Sequence, residues 1–541
     1  MKPQKIVIVG AGISGLTAGA YLLQSGHSVL ILEKTSQCGG LVSSFSRDGF
    51  LFDAGPRAFG NAGILVPMLE DLGINLPLIK GLVSTGIKKE IVHFDSNRGI
   101  SDYIASLHKL FPESRCAIKK IEKRIRSHSR DAHILNKVAN PFFKNAVKDH
   151  RYLWKNFLPW LPFFLRVVVK NIIHKKSIEE VLDSVTDNTA LKDMVCQHFF
   201  KGTPANFAFG YFENYQDYKY PPGGTGKLPQ ALESKIIHDG GEIIRNSEIV
   251  KINPGENTLL DQNGKEYIYD QLLWAADLKS LYQRLDDQSL APGFRRSISL
   301  ERRKYLTAHT AESVFTLFVA VNETPEVFKK ISNGHFIYTP LATGMGDLHR
   351  SRLATLKRDF GHITKQELFA WLREYCERNS YEISIPVVKD PSLAPKNKTG
   401  LVISLLFDGE LFLKVEQAGW IDEFREKITA YMLHTLESSI YPGLKEKIIF
   451  QESATPITVM KMFHTANGAI TGWSLEQKAP VPDSLAGILS TPNTAIPRIY
   501  KAGQWSYSPS GVPIAILTGR IAAAAMIKSL SKSEKPLYQQ K

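Results

Sequence analysis

The chain has 541 residues, enough for two or three domains, and its balance of 43% hydrophobic and 22% charged residues excludes a disordered protein. Its four cysteines are far apart and form no CxxC pair, so the sequence predicts neither a disulfide framework nor a thiolate metal site. The formal net charge of +14 is compatible with nucleic acid, an anionic membrane surface or a generally basic protein, and the distribution of the charge must separate these.

The sequence predicts neither an export signal nor a membrane span. Residues 6–23 are apolar but interrupted by glycines, which does not favour a signal peptide. No stretch reaches the roughly 20 uninterrupted apolar residues that a membrane span requires. We therefore expect a cytoplasmic protein that does not cross a bilayer, with peripheral membrane association as the alternative.

The first 33 residues have the pattern of a strand, a helix and a second strand. A β-branched run at residues 5–9 leads directly into Gly-Ala-Gly-Ile-Ser-Gly at 10–15. An alanine- and leucine-rich helix follows, and a second strand at 28–32 ends in Glu33. GxGxxG alone is weak evidence, but in this βαβ setting it predicts a dinucleotide-binding fold.

The spacing assigns a role to each residue of the turn. Gly10 makes the tight turn, Gly12 lets the backbone approach a pyrophosphate, and Gly15 lets helix and strand pack closely. The helix N-terminus supplies positive potential, and Glu33 is placed to bind ribose hydroxyls. Because no second GxGxxG unit is present, we expect no dedicated NAD(P)H domain.

The residues that follow resemble the flavin-dependent amine oxidase superfamily. Gly39 and Gly40 come shortly after Glu33, and Asp-Ala-Gly-Pro at 53–56 is similar to the phytoene desaturase branch. In this superfamily the glycine pair lies along the FAD pyrophosphate, so the resemblance implies FAD. Many members have an arginine where this chain has Leu41, which implies that another group makes that phosphate contact.

Further resemblances occur in the middle of the chain. Residues 220–229 resemble a structural turn of the family, because the segment lacks the first glycine and the Ser or Thr of a phosphate-binding P-loop. Residues 240–252 resemble the strand pair that covers the adenine, with the Val250 backbone as the implied contact. Asp-Pro-Ser-Leu-Ala-Pro at 390–395 and the segment 453–473 resemble signatures of phytoene desaturases.

The C-terminal segments 500–505, 511–513 and 519–524 resemble the second flavin motif of the family. In that motif a helix N-terminus points at the flavin C2 carbonyl and stabilises negative charge on the reduced ring. Desaturases usually have Thr-His-Pro-Gly where this chain has residues 505–510. The Ala-Gly-Gln-Trp sequence is more similar to carotenoid isomerases and retinol saturases, so the direction of the reaction stays open.

The sequence assigns cofactor-binding residues but no catalytic acid or base. Arg57, Trp473, Trp505 and Tyr507 either border the flavin ring or serve in packing, and His464 is interpreted as an ordinary isolated histidine. The predicted cofactor-binding residues are Gly10, Gly12, Ile13, Ser14, Gly15, Glu33, Lys34, Gly39, Gly40, Leu41, Gly55, Pro56, Arg57, Val250, Gly503, Gln504, Gly511, Val512 and Pro513.

The resemblance implies an α/β fold with a Rossmann-like FAD-binding domain assembled from separated segments and a mixed α+β substrate-binding domain. The FAD-binding domain is expected to comprise residues 1–80, 215–285 and 450–541. The substrate-binding domain is expected to comprise residues 81–214 and 286–449.

A basic and aromatic insertion lies near 141–176. Between residues 109 and 176, seventeen Lys and Arg stand against four acids. The insertion either docks on a lipid interface, with Trp154 and Trp160 at headgroup depth, or forms the core or tunnel of the substrate domain. Nucleic acid is not expected, because no nucleic-acid-binding motif is present. Kinks are predicted at Pro141, Pro159 and Pro162.

The resemblance implies an FAD-dependent oxidoreductase acting on a long apolar polyene or isoprenoid. Phytoene desaturase-like dehydrogenation by hydride transfer to flavin is the leading hypothesis, with a quinone or oxygen as electron acceptor. A carotenoid cis-trans isomerase or a retinol-type saturase is the alternative. An amine oxidase and a flavin-binding protein without catalysis also stay open. No metal site is expected, since the sequence contains no HxxxH or His/Cys cluster.

Overall fold

The computed structural model describes residues 5–96, 98–144, 149–173 and 175–533. The strands are β1 (Lys5–Val9), β2 (Ser28–Leu32), β3 (Ser44–Arg47), β4 (Phe50–Asp53), β5 (Phe59–Gly60), β6 (Ile79–Lys80), β7 (Val83–Ile87), β8 (Glu90–His93), β9 (Tyr218–Tyr220), β10 (Glu242–Ile244), β11 (Ile249–Asn253), β12 (Thr258–Asp261), β13 (Glu266–Ile268), β14 (Gln271–Trp274), β15 (Ser313–Val321), β16 (His335–Thr339), β17 (Tyr381–Ser384), β18 (Thr399–Phe407), β19 (Ile448–Ala454) and β20 (Ile499–Lys501).

The α-helices are α1 (Ile13–Gln24), α2 (Leu65–Asp71), α3 (Gly99–Leu110), α4 (Arg115–Asn136), α5 (His150–Tyr152), α6 (Leu158–Ile173), α7 (Ile178–Asp183), α8 (Thr189–Cys196), α9 (Ala205–Asp217), α10 (Lys227–His238), α11 (Leu278–Gln283), α12 (Pro292–Thr307), α13 (Pro325–Lys329), α14 (Ser351–Arg358), α15 (Lys365–Arg378), α16 (Pro386–Lys389), α17 (Gly409–Gln417), α18 (Ile421–Ser439), α19 (Pro456–Phe463) and α20 (Val512–Ser533). A π-helical turn, Leu153–Phe157, precedes α6.

A five-stranded parallel sheet, in the order β10-β2-β1-β14-β20, carries the predicted dinucleotide-binding unit. The central strands are continuous apolar runs because both faces of the sheet are covered. One of the two cores on this sheet contains α1, α10 and α20. Its strands come from the start, the middle and the end of the chain, which confirms the predicted α/β fold with a domain assembled from separated segments.

Helix α20 packs against α1. Gly519 makes this approach close, since a β-carbon there would lie 2.4 Å from the Ser14 carbonyl oxygen. In the described part of the chain, α20 is also the one helix whose length and composition would suffice to cross a membrane, over Val512–Ser531. Half of that stretch is buried within the protein, as it would be in a core helix.

A seven-stranded mixed sheet, in the order β19-β15-β18-β17-β16-β7-β8, forms the centre of the second region. Successive side chains alternate between its faces. One face carries residues such as Phe315, Ile403 and Phe336 and packs against α15, α17 and α18. The opposite face carries Thr316, Ser404 and other side chains that line a large cavity, so this sheet is the cavity floor.

Helices cover the cavity on the opposite side from the floor. Helix α4 contacts α6 and α9. Its apolar side, with Ile118, Ile121 and Ile125, is buried in the helical core, while its basic side chains face outward. Leu135 of α4 and Val167 of α6 line the cavity. Helices α4 and α6, together with the π-helical turn that precedes α6, therefore form the roof of the cavity.

The structure differs from the sequence-based expectations at two points. The expected boundary at residue 450 falls inside β19, which pairs with β15 and so belongs to the seven-stranded sheet. At Pro162, where a kink was expected, the chain stays helical, because α6 continues through it. Because proline has no N–H, Pro162 cannot donate a hydrogen bond to the carbonyl of Leu158. That carbonyl lies at the start of α6, next to the π-helical turn.

Candidate functional site

One continuous cavity of about 2800 Å³ runs from the glycine turn of the parallel sheet to the space beneath the helical roof. Small-molecule pockets usually measure about 300 to 1,000 Å³. The cavity is therefore large enough to hold a dinucleotide and a sizeable second molecule at the same time.

The glycine turn and the glycine pair form one surface at the first end of this cavity. Gly39 donates its N–H to the Ala11 carbonyl at 2.8 Å, and the α-carbon of Gly12 lies 3.5 Å from the position of a β-carbon on Gly40. A β-carbon on Gly12 would meet no atom within 4 Å, so this residue faces open space. By contrast, a β-carbon on Gly15 would lie 2.0 Å from the Gly10 carbonyl oxygen, as the predicted helix–strand packing requires.

Glu33 is held firmly at the end of β2. Its Oε2 accepts the Ala11 N–H at 2.8 Å, and its Oε1 accepts the Thr35 N–H at 2.9 Å. These bonds fix the carboxylate beside the glycine turn, where it lines the cavity. On the same wall, Glu248 pairs with His464 at 3.0 Å, so His464 lines the cavity and is not isolated.

The C-terminal motif closes the cavity from the opposite side. Gly503 donates to the Thr518 hydroxyl of α20 at 3.1 Å, and a β-carbon on Gly503 would lie 2.8 Å from Ser14 Oγ of α1. Trp473 donates its indole N–H to the Trp505 carbonyl at 3.0 Å, and this hydrogen bond fixes the two aromatic residues relative to each other. Ser510 Oγ, just before α20, is buried without a hydrogen-bond partner and lines the cavity.

Asp53 joins three of the segments that the sequence singled out. Its carboxylate is fully buried and accepts from the Tyr220 hydroxyl at 2.8 Å and from the Thr225 N–H at 2.7 Å. Asp390 completes the connection by accepting the Gly223 N–H at 2.8 Å. The turn at 220–229 is thus held by carboxylates and does not line the cavity, which confirms its interpretation as structural.

Nearly all predicted cofactor-binding residues line the cavity, and two do not. Gly15 lies behind the turn, in the packing role just described. Val250 has a half-exposed side chain on β11, while Ser247, Glu248 and Ile249 immediately before it line the cavity. The contact through the Val250 backbone stays a prediction.

The residues present fit FAD. Helix α1 begins at Ile13, directly after Gly12, without a side-chain cap or an acid in its first turn, so its positive end is available to a pyrophosphate. Open space at Gly12, an anchored Glu33 and the unpartnered Ser510 hydroxyl occur along one cavity. The first two groups would hold the dinucleotide, and the start of α20 would face the flavin ring.

A polar group on the cavity floor was not anticipated from the sequence. Glu382 of β17 accepts from His335 Nε2 of β16 at 3.0 Å. Arg57 donates through Nη1 to the Asp53 carbonyl at 3.0 Å and through Nη2 to the Ser404 hydroxyl. Burial by itself would raise the pKa of Glu382, but the hydrogen bond from His335 and the charge of Arg57 lower it to about 2.

His335 and Glu382 carried no sequence signal because they come from different strands and match no motif, whereas Arg57 was predicted as a cofactor-binding residue directly after Asp-Ala-Gly-Pro. The alternation within β16 and β17, with aromatic or aliphatic residues on one face and polar ones on the other, could have placed His335 and Glu382 on a common face. It could not have shown that this face lines a cavity.

The walls beyond the floor are largely apolar. Leu135, Val167 and Val168 of the roof and Phe207 and Tyr211 of α9 line this part of the cavity. Two adjacent tyrosines, Tyr211 and Tyr218, share a hydrogen bond between their hydroxyl groups, and burial raises the pKa of Tyr211 to about 12. The phenols are therefore neutral, and this part of the cavity suits an apolar molecule.

The outer face of the roof exposes apolar side chains to solvent. Trp154 is 67% exposed, and Phe163, Leu165 and Val169 are each more than half exposed. Trp160 differs, since it donates its indole N–H to the Ile134 carbonyl at 2.8 Å and packs on α4. Trp160 is therefore partly buried against α4, while Trp154 is exposed at the surface.

The chain is similar to known proteins along nearly its whole length. The sequence of the chain is 23% identical over 553 residues to prolycopene isomerase 2, chloroplastic, of an Oncidium hybrid cultivar, covering 98% of this chain and 84% of that protein. It is 22% identical over 567 residues to a 4,4'-diapophytoene desaturase of Staphylococcus haemolyticus, covering 97% and 99%. A solved oxidoreductase structure from Methanosarcina mazei superimposes with a TM-score of 0.59 at 16% identity, covering 97% and 100%.

The family described as flavin containing amine oxidoreductase matches residues 13–527, nearly the whole chain. This match confirms the predicted resemblance and the predicted FAD cofactor, and it agrees with the dinucleotide-binding geometry. The chain belongs to the flavin-containing amine oxidoreductase family and is an FAD-dependent oxidoreductase.

Proposed function

We propose that this protein catalyses FAD-dependent redox chemistry at a carbon–carbon bond of a long apolar polyene or isoprenoid, with desaturation as the leading reaction. The observation that carries the proposal is the single cavity that joins the dinucleotide-binding turn to the apolar space beneath the roof. When bound, FAD supplies two-electron chemistry at an allylic carbon, in either direction. We propose a quinone or molecular oxygen as the electron acceptor.

The residues of the chain supply orientation and exclusion of water. The walls formed by Leu135, Val167 and Val168 remove an apolar chain from water, which is worth about 25 cal/mol for each Å² buried. Arg57, fixed by Asp53 and Ser404, and the paired Trp473 and Trp505 give the reacting end of the cavity a rigid border. Rigid walls hold a substrate in one pose relative to the cofactor.

An anaerobic assay tests the reaction directly. Purified FAD-loaded protein on liposomes is offered phytoene, a cis-carotenoid and retinol, first with oxidised and then with chemically reduced cofactor, and the products are weighed by mass spectrometry. Loss of two hydrogens supports desaturation, gain of two indicates a saturase, and unchanged mass with altered retention indicates an isomerase. If small amines reduce the bound cofactor and no polyene reacts, the protein is an amine oxidase and the proposal is wrong. Bound cofactor that reacts with neither class would indicate a flavin-binding protein without catalysis.

We also propose that the outer face of the roof docks on an anionic lipid surface, so that the protein is cytoplasmic and binds membranes peripherally. The exposed Trp154 and Phe163 lie on helices rich in exposed cations, including Lys155 and Arg166. Apolar side chains beside basic ones bind lipid interfaces through both burial and charge. The opposite side of the same helix lines the cavity through Val167.

Flotation with liposomes tests this docking. The double variant W154S/F163S is expected to lose most of its binding to vesicles that contain phosphatidylserine, without loss of bound FAD. The matched control L300S/I268S replaces two apolar side chains that are equally exposed but lie on α12 and β13, far from the roof in sequence. Equal binding of vesicles by both double variants would show that the exposed side chains of the roof do not bind lipid.

A further inference from the structure

The polar group on the cavity floor contains hydrogen-bonding atoms that the protein leaves unused. Arg57 Nε and His335 Nδ1 are buried and have no partner among the described residues, although both side chains line the cavity. Buried polar atoms are nearly always paired, so such orphans need an explanation.

Glu382 adds an acceptor directed into the same space. Its side chain is 46% accessible, and the space it reaches is the cavity that it lines. Its Oε1 is occupied by His335, whereas no bond from the described residues reaches Oε2. Burial lowers the pKa of His335, so the imidazole is neutral and orients the carboxylate without neutralising it.

The sheet register brings Arg57 and Glu382 close together. Glu382 lies directly opposite Ser404 in the antiparallel pair of β17 and β18, and Ser404 accepts from the guanidinium of Arg57. Directly opposed residues have β-carbons about 5 Å apart. Nevertheless, no ion pair joins Arg57 and Glu382 within the described residues. Arg57 and Glu382 therefore line the same cavity without pairing with each other, and the protein leaves Arg57 Nε and Glu382 Oε2 without partners among the described residues.

We propose that this floor site, made of Arg57, His335 and Glu382, binds a hydroxyl group on an otherwise apolar substrate. The inference rests on the apolar substrate proposed above and specifies it further, since a pure hydrocarbon would give the unused hydrogen-bonding atoms of these side chains no partner.

The chemistry selects a hydroxyl over charged groups. A hydroxyl both donates and accepts, so it pairs with Glu382 and Arg57 together. An ammonium group would pair with Glu382 but would be repelled by Arg57. A carboxylate would pair with Arg57 but would be repelled by Glu382. The floor thus favours a neutral oxygen group at one position of the long molecule.

Binding measurements with a matched set of probes test the proposal. Geranylgeraniol, geranylgeranylamine and the hydrocarbon that carries a hydrogen in place of the hydroxyl share one chain and differ only at its end. Their affinities for the FAD-loaded protein are measured by equilibrium dialysis with mass spectrometry, which requires no turnover. We expect geranylgeraniol to bind at least about 10-fold more tightly than the hydrocarbon, and more tightly than the amine.

Two variants and one control locate the effect. In Glu382→Leu the preference for the alcohol over the hydrocarbon is expected to disappear while hydrocarbon binding persists. In Glu382→Gln, which keeps the shape should the leucine variant fail to fold, the preference is expected to fall several-fold. Glu426→Gln changes an exposed carboxylate on α18 at the edge of the same cavity and should leave the preference unchanged.

The outcomes separate the two proposals. Equal binding of the alcohol and the hydrocarbon, or a preference that persists in Glu382→Leu, overturns the floor site and leaves the apolar substrate intact. Tightest binding of the amine also overturns it, in favour of an amine ligand. If none of the three probes binds to protein that holds FAD, the proposed apolar substrate fails as well.

Discussion

Single glycines define the cofactor end of the cavity, and Gly12 offers the sharpest test. In Gly12→Val the fold should persist, because the new side chain points into open space, but FAD should no longer bind where that side chain stands. Flavin absorbance of the purified variant measures this. Gly293→Val is the control, since Gly293 is exposed on α12 and a β-carbon there also meets nothing. Normal flavin content in Gly12→Val would contradict the assignment of the turn.

A buried lysine makes stability depend on pH. Burial, aided by nearby Lys304, lowers the pKa of Lys501 to about 8, against about 10.4 in an unfolded chain. Between these values the unfolded state binds more protons, so the stability of the folded protein rises with pH through this window. In Lys501→Met this gain is absent. We expect the melting temperature of the wild type to rise relative to that of the variant between pH 7 and pH 9. The rise should correspond to about 1 kcal/mol of unfolding free energy.

Lys528→Met serves as the control for this measurement, since Lys528 is exposed on α20. Its melting temperature should differ from that of the wild type by the same amount at both pH values. A constant difference for Lys501→Met as well would show that the lysine titrates as it does in water.

Among the elements, the pair α1 and α20 depends on close approach. A β-carbon on Gly519 would lie 2.4 Å from the Ser14 carbonyl oxygen, so Gly519→Val should push the helices apart and destabilise the protein by about 1 to 3 kcal/mol. Thermal unfolding and flavin content report the effect together, because Ser14 lines the cavity. Lys528→Ala, on the exposed side of α20, should change neither quantity.

The elements also show how far sequence reasoning reaches. The strand–helix–strand unit with Glu33 was predictable, because its periodicity and its glycines are local signals. Arg57 was predicted as well, but its meeting with Glu382 and His335 was not, because it depends on the register of strands far apart in sequence. Of the roof, only the basic and aromatic composition was predictable. Which of Trp154 and Trp160 faces outward is decided by the packing of α6 on α4.

At the scale of the whole molecule, FAD connects segments from both ends of the chain. The lining includes Gly12, Gly40 and Gly503, so binding should stabilise the folded state globally. At free FAD 100-fold above its Kd, linkage gives about 2.7 kcal/mol. We expect removal of FAD to lower the melting temperature and its return to restore it. Gly12→Val should show no response to added FAD, and a response there would argue for a different binding site.

The pairing of β14 with β20 has a consequence for synthesis. Strand β14 ends at residue 274, whereas its neighbour begins at residue 499. Chains grow from the N-terminus at about 5 to 20 residues per second, so on the ribosome the nascent sheet spends many seconds with an open edge. The cofactor pocket cannot close until α20 has emerged. We therefore expect FAD to be loaded after the C-terminal segments have been synthesised, and we expect a chain terminated before residue 503 to purify without bound flavin.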